Sequence, residues 1–444
     1  MSPASVLGSL SNSRRIAVAL ITATVFVLLP LSFTQRDTPA VSHGLTAHVV
    51  EKVEIHPQWD TRHYVTSRND TASFRERLRP DIKYLVQWGD PVGFSNQIIS
   101  HIHLIYLALL SERVPVIPPF VHNPHVGWDG PLLSFGEVFD VDLLRAGLRK
   151  PVLQWSDVQA QSGVPEPLGC WGLEVWHGPA QAPPSFPHEL GVSVVYTSIP
   201  NDSRSTYMHA ADTLADLVHV SGSSLSESYR ESAEALRPDE HIACFDFLYF
   251  VSSAANLNLD HSAGSFWPAW SFAGRYVRFT TAVRERAQVH LLQAFGLHPE
   301  AALPNFISVH IRRGDFVDVC ENTPIEECFA PLSAYVRRVR EVQEELEMRH
   351  GVSVQRVIVS SNEQNRAFWA DIDRLGWAHI DYGTGVTNGG WWGIIVDTCI
   401  QSMSKGFVGT WGSTVSELSE RRVRDWNNGA SRMVRWGSVG ADDH

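Results

Sequence analysis

Cysteine is scarce in this chain, and the way it is spread is informative. The five cysteines, Cys170, Cys244, Cys320, Cys328 and Cys399, form no CxxC pair and no Cys/His spacing of a metal site. Positive charge is also short: 36 Lys and Arg stand against 48 Asp and Glu, a net charge of -12. Nucleic-acid binding through a broad basic surface is therefore excluded, and any anion must be held in a local pocket. Neither a Walker A ending nor a GxGxxG fingerprint occurs, and there is no internal repeat. At 44% apolar and 19% charged residues, the composition is that of a folded globular protein. At 444 residues the chain is too long for one ordinary core, so two domains are the expectation. Fifteen tryptophans serve core packing first and sugar stacking second.

One long apolar run is present. Residues 16–33 carry no charge, follow Arg14-Arg15 and precede Arg36-Asp37. The run is just long enough to span a bilayer. It reads as an uncleaved signal anchor, a cleaved signal peptide being the alternative. The flanking arginines keep residues 1–15 cytoplasmic and send the rest into the lumen of the endoplasmic reticulum or Golgi, a single-pass type II arrangement. The sequons at Asn69 and Asn201 are compatible with that. In an oxidising lumen Cys320 and Cys328, which enclose a short polar loop, could form a local disulfide. Cys399 lies in an apolar helical pattern and reads as a buried free thiol.

Residues 34–79 are polar without a sustained period and read as a stem. From Ile82 the pattern is strand, glycine-bearing loop (GDPVGFSNQ), then a helix from about Asn96 to Glu112 with Ile98, Ile102, Ile105 and Leu109 on one stripe. The strand Val114–Ile117 completes a βαβ unit. Gly93 and the helix start behind it can admit an anion to unpaired backbone N–H groups. Asp140-Val141-Asp142 has the form of a metal-binding DxD, but acidic residues at a helix start complement the helix dipole, and that is the reading adopted. Val152–Trp155, Val192–Thr197 and His241–Phe250 are further strands, and Ala210–Val218 and Ser224–Leu236 helices. A first domain over 80–275 and a second over 276–444 follow. In the second, strands alternate with helices, which predicts a parallel sheet whose ligands bind at the carboxyl ends of its strands.

Two of those ends carry anion chemistry. Asn305–Phe316 (NFISVHIRRGDF) alternates like a strand, placing His310 and Arg312 on one face and Arg313 on the other. Arg312 suits a phosphate gripped by paired hydrogen bonds. Arg313 is expected to pair structurally with an acid, Asp315 being the nearest. Later, Gly409–Arg421 joins a strand to a helix. Thr414 and Glu417 fit a capping box with Thr414 as N-cap, so Ser413 and Thr414 would offer hydroxyls and N–H groups to phosphate.

Three ordered stretches, GFSNQ with VPVIPPF and FGEVFDVDLLRAGL, then VHIRRGDF, then DTCIQSMSKGFVGTWGSTVSELSERRV, together resemble the GDP-fucose protein O-fucosyltransferase family. The resemblance runs from about Ile82 to Trp426, with little of it in 165–265. It implies a GT-B architecture, two Rossmann-like domains facing each other across a cleft. The implied activity is inverting transfer of fucose from GDP-fucose to a hydroxyl of a protein or glycan, with no metal or other cofactor. It places Arg312 at the departing diphosphate, His310 and Asp397 near the nucleotide, Ser413 and Thr414 on phosphate, and Gly93, Ser95 and Asn96 at the sugar. One branch of the family has a Glu where this chain has Val92, so Asp90 is the substitute candidate for the base. Two other readings stay open: a catalytically silent nucleotide-sugar-binding or lectin-like protein of the same fold, and a transferase using another nucleotide sugar.

Overall fold

The computed structural model describes residues 59–66, 73–89, 91–123, 126–127, 132–159, 165–173, 186–199, 209–219, 238–252, 268–320, 323–380, 382 and 390–443. The apolar run at 16–33, both sequons, Asp90 and the helix expected at Ser224–Leu236 lie outside them. Among the described residues no helix is long and apolar enough to cross a membrane.

Two parallel sheets organise residues 53–444. The first comprises β1 (Tyr84–Gln87), β2 (Val114–Ile117), β3 (Leu153–Gln154), β4 (Glu166–Gly172), β5 (Val192–Ser198) and β7 (Ile242–Phe245) in the order β3-β2-β1-β7-β4-β5. The short β6 (His209–Ala210) and β8 (Val251–Ser252) pair separately. The second sheet comprises β9 (Phe306–Ile311), β10 (Arg356–Ser361), β11 (Ala378–His379), β12 (Gly406–Thr410) and β13 (Ala430–Val434) in the order β11-β10-β9-β12-β13. Every pairing within both sheets is parallel. Such strands are covered on both faces, which is why β9 and β12 are buried at every position.

The second sheet's order is doubly wound: the chain fills one side of β9, then crosses to β12 on the other. The order reverses between those two strands, and it is at the carboxyl ends of such a pair that a parallel sheet has its ligand crevice. In the first sheet the reversal falls between β1 and β7. The two halves share one core. Trp391, at the start of the Trp392–Met403 helix, packs on Phe94 and Phe120, each 5.9 Å away between ring centroids.

Some expectations hold and others shift. The Asp140 carboxylate accepts from the Leu143 amide at 2.9 Å as the N-cap of Val141–Leu148, and Asp142 pairs with Arg145, so this DxD serves a helix end. The stretch FGEVFDVDLLRAGL forms two helices, Phe135–Val138 and Val141–Leu148. Residues 73–79, assigned to the stem, carry the Phe74–Arg77 helix and bury Phe74 and Leu78 in the first sheet's core. The strand expected at His241–Phe250 stops at Phe245. Cys320 pairs with Cys328, and Cys399 is free and buried. The pairing of Cys170 with Cys244 was not foreseen; it joins the neighbouring strands β4 and β7.

Candidate active site

The crevice is built from hydroxyls. Thr410 ends β12 with a side chain that has one proton and two lone pairs. It donates to the His310 carbonyl at 3.0 Å and accepts from the Arg312 amide at 2.9 Å. In the first turn of the helix that follows, the Ser416 hydroxyl accepts from the Thr410 amide at 3.0 Å and pairs with His310 Nδ1 at 2.8 Å. A closed ring of hydrogen bonds thus fixes the end of β9 against β12. Gly409 makes the approach possible, because a Cβ there would lie 2.7 Å from the Ser416 Cβ.

His310 is 5% exposed, and burial, with the Arg312 charge adding to it, pulls its pKa down to about 3. The ring is therefore neutral, and with Nδ1 held by Ser416 the nitrogen left for a ligand is Nε2. Arg312 lies beyond the strand end with its side chain partly open, paired to Asp315 at 2.7 Å and 5.6 Å from the centre of the Phe316 ring. Gly314, at φ +33°, folds the chain back so that Asp315 reaches it.

Asp315 is thus the partner of Arg312, and not of Arg313 as the sequence suggested. Arg313 has its own acid. Its Nε lies 3.1 Å from the Glu363 carboxylate, a charge contact without hydrogen-bond alignment. The guanidinium sits 4.9 Å from Phe329 and 5.4 Å from Phe368. Parallel register sets this pairing: Ser361 lies opposite Ile311, so the residues just past both strands meet.

The helix after β12 spans Thr414–Asn427 with Ser413 as N-cap, one residue earlier than expected. Its first turn points into the crevice, and a phosphate there would meet free N–H groups and the positive end of the helix dipole. The shift frees the Thr414 hydroxyl, which donates to Asn96 Oδ1 at 2.6 Å. Asn96 belongs to the first turn of Phe94–Leu110, so two helix N-termini meet across the two sheets. Ser95, beside it, is 2% exposed and its hydroxyl has no partner among the described residues. Gly93 caps that helix at φ -54°, a conformation open to any residue.

Asp397 faces a small cleft with Ser308, Ser360, Ile380, Ile400 and Gln401. Tyr382 donates to its carboxylate at 2.6 Å, and burial nevertheless lifts its pKa to about 6. An acid whose folded pKa is raised binds its proton more readily when folded, so the charge costs stability as pH rises from about 4 through 6. Asp397→Asn removes that cost while keeping an oxygen for Tyr382. The variant's melting temperature relative to the native chain should therefore rise between pH 4.5 and 7; a pH-independent difference would contradict the burial of this charge. Among the described residues no three His, Cys, Asp or Glu side chains gather as a metal site. Thr410 and Ser416, which hold the site together, were missed; their hydroxyls follow from a strand ending in Thr and a helix opening Ser-Thr-x-Ser.

No protein-family profile and no curated sequence matches the chain. Solved structures do. POFUT1 without ligand superposes with a TM-score of 0.50 at 16% identity, covering 80% of this chain and 98% of that one. POFUT1 in complex with GDP-fucose gives the same score and identity over 81% and 99%. The fucosyltransferase NodZ from Bradyrhizobium, at 0.38 and 13% identity over 76% and 93%, is too distant to add weight. With two parallel sheets meeting at their reversal points, the chain has the GT-B-like fold of POFUT1.

Proposed function

We propose that this protein is an inverting fucosyltransferase that moves fucose from GDP-fucose to a hydroxyl of a protein or glycan. The observation that carries the reading is the placement of Arg312 beside the Ser413–Thr414 helix start, at the reversal point of one sheet and opposite the first helix of the other. The resemblance in three ordered motifs and the likeness to a structure holding GDP-fucose support the donor.

The residues then divide the work. Arg312 gives up Asp315 for the diphosphate and offsets the charge that grows on the departing oxygen. Ser413, Thr414 and the helix N-terminus hold phosphate. His310 through Nε2 and Asp397 contact the nucleoside, and Gly93, Ser95 and Asn96 approach the sugar. The acceptor proton goes to Asp90, or leaves late in a dissociative reaction that needs no base. Two disulfides fit an oxidising secretory compartment, with residues 16–33 as the proposed anchor.

A donor screen tests this. GDP-fucose and GDP should raise the melting temperature, since a ligand bound only by the folded state adds RT ln(1 + [L]/Kd). UDP-sugars should leave it unchanged, and a shift with UDP-sugars alone would overturn the donor assignment. Binding of GDP-fucose with no GDP release under any acceptor or water would favour the silent reading, which Val92 in place of the Glu motivates.

A further inference from the structure

The hydroxyl that accepts from the Arg312 amide is also bonded by a residue on the opposite face of the sheet. Tyr335 belongs to the Leu332–His350 helix, which covers the face of β9 bearing Ile307, Val309 and Ile311. It is 3% exposed, and its hydroxyl lies 2.8 Å from Thr410 Oγ1. The single proton of that threonine goes to the His310 carbonyl, so Tyr335 must donate. Thr410 then has its full complement: one bond given, and two received from Tyr335 and the Arg312 amide. We propose, resting on the transferase reading above, that Tyr335 is a positioning residue for catalysis, fixing the Arg312 backbone through the Thr410 hydroxyl without touching the substrate.

The physical reason lies in what its loss would permit. Without the Tyr335 proton, one lone pair of a buried hydroxyl goes unmet. The hydroxyl can then rotate, and the amide that anchors Arg312 loses a fixed acceptor. The Arg312 side chain would still find a diphosphate, because a long guanidinium reaches a bound anion from a shifted backbone. It would meet the departing oxygen less well as charge develops there, and misplacement by an ångström can cost about a hundredfold in rate. The defect should therefore fall on turnover and spare ground-state binding.

The test uses the full chain, with release of GDP from GDP-fucose to water as the rate and calorimetric binding of GDP as the affinity. In that hydrolysis the bond from fucose C1 to phosphate oxygen breaks, a C1–O bond to water forms, and water's proton passes to the medium. Tyr335→Phe should lower kcat at least tenfold, at a temperature where the variant is fully folded, with the Kd for GDP within threefold of native. Thr410→Val, matched in shape but without the hydroxyl, should show at least as large a loss, and Thr410→Ser should restore most of it. The double variant Y335F/T410V should be no slower than T410V, because both changes break one linkage. A native kcat in Tyr335→Phe with only a lower melting temperature would make the tyrosine structural and overturn the inference. Additive losses in the double variant would overturn it equally. If Arg312→Ala is inactive while Tyr335→Phe is not, this inference alone fails; if the native chain releases no GDP with water or with any acceptor, the transferase reading fails and takes the inference with it.

Discussion

Arg312→Ala should abolish transfer, lowering kcat/KM at least a thousandfold, while the melting temperature moves by no more than a degree or two. The two halves of this result have separate causes. Removing one preorganised donor from a developing anion typically costs about a hundred- to a thousandfold, and a guanidinium supplies charge and two donors together. The stability term is small because the native partner is an exposed carboxylate, with Asp315 44% open at its side chain. Pairs of that kind contribute about 0–1 kcal/mol. The backbone anchor survives the substitution, since the amide and not the side chain bonds Thr410. Arg312→Lys should recover little, because an ammonium keeps the charge and loses the planar fork. Retained activity in Arg312→Ala would remove the transferase assignment, whatever the fold.

The contrast between the two halves of the chain shows what a sequence can express. β9, β10 and β12 are short runs of β-branched and small residues between turn signals, so their strand pattern is legible along the chain. β4, with the sequence EPLGCWG, was not seen at all. Its proline and glycines break any strand pattern, and it is a strand because β5 and β7 flank it. The Cys170–Cys244 pairing was hidden for the same reason, since it depends on β4 lying beside β7. At the site, the residue types were legible and their partners were not. Two consecutive hydroxyl residues, Ser413 and Thr414, both suit a helix cap, and only the meeting with Asn96 decides which caps and which reaches across. Proximity along the chain misled for the acids: Asp315 is closer to Arg313 in sequence, but the register of β10 against β9 delivers Glu363.

That correction separates the two arginines more firmly than alternation along a strand did, and sets the second large effect. Arg313→Ala should destabilise the fold by about 2–3 kcal/mol, with turnover per folded molecule within about threefold of native. Arg313 is one-quarter exposed at the side chain and Glu363 less than one-fifth, so the alanine leaves a half-buried carboxylate without its countercharge. The contacts to Phe329 and Phe368 go as well, each worth about 0.5–2 kcal/mol when partly desolvated. Phe329 packs on the Cys320–Cys328 disulfide, so the loss loosens the loop beside the site without removing a group from it. Arg313→Met, which keeps the apolar stem between the two rings, should recover part of the stability. Urea unfolding followed by tryptophan fluorescence measures the first quantity, and initial rates normalised to folded fraction measure the second. An Arg313→Ala protein with native stability and no activity would place Arg313 among the ligand-binding groups and reverse the division of labour drawn between the neighbours.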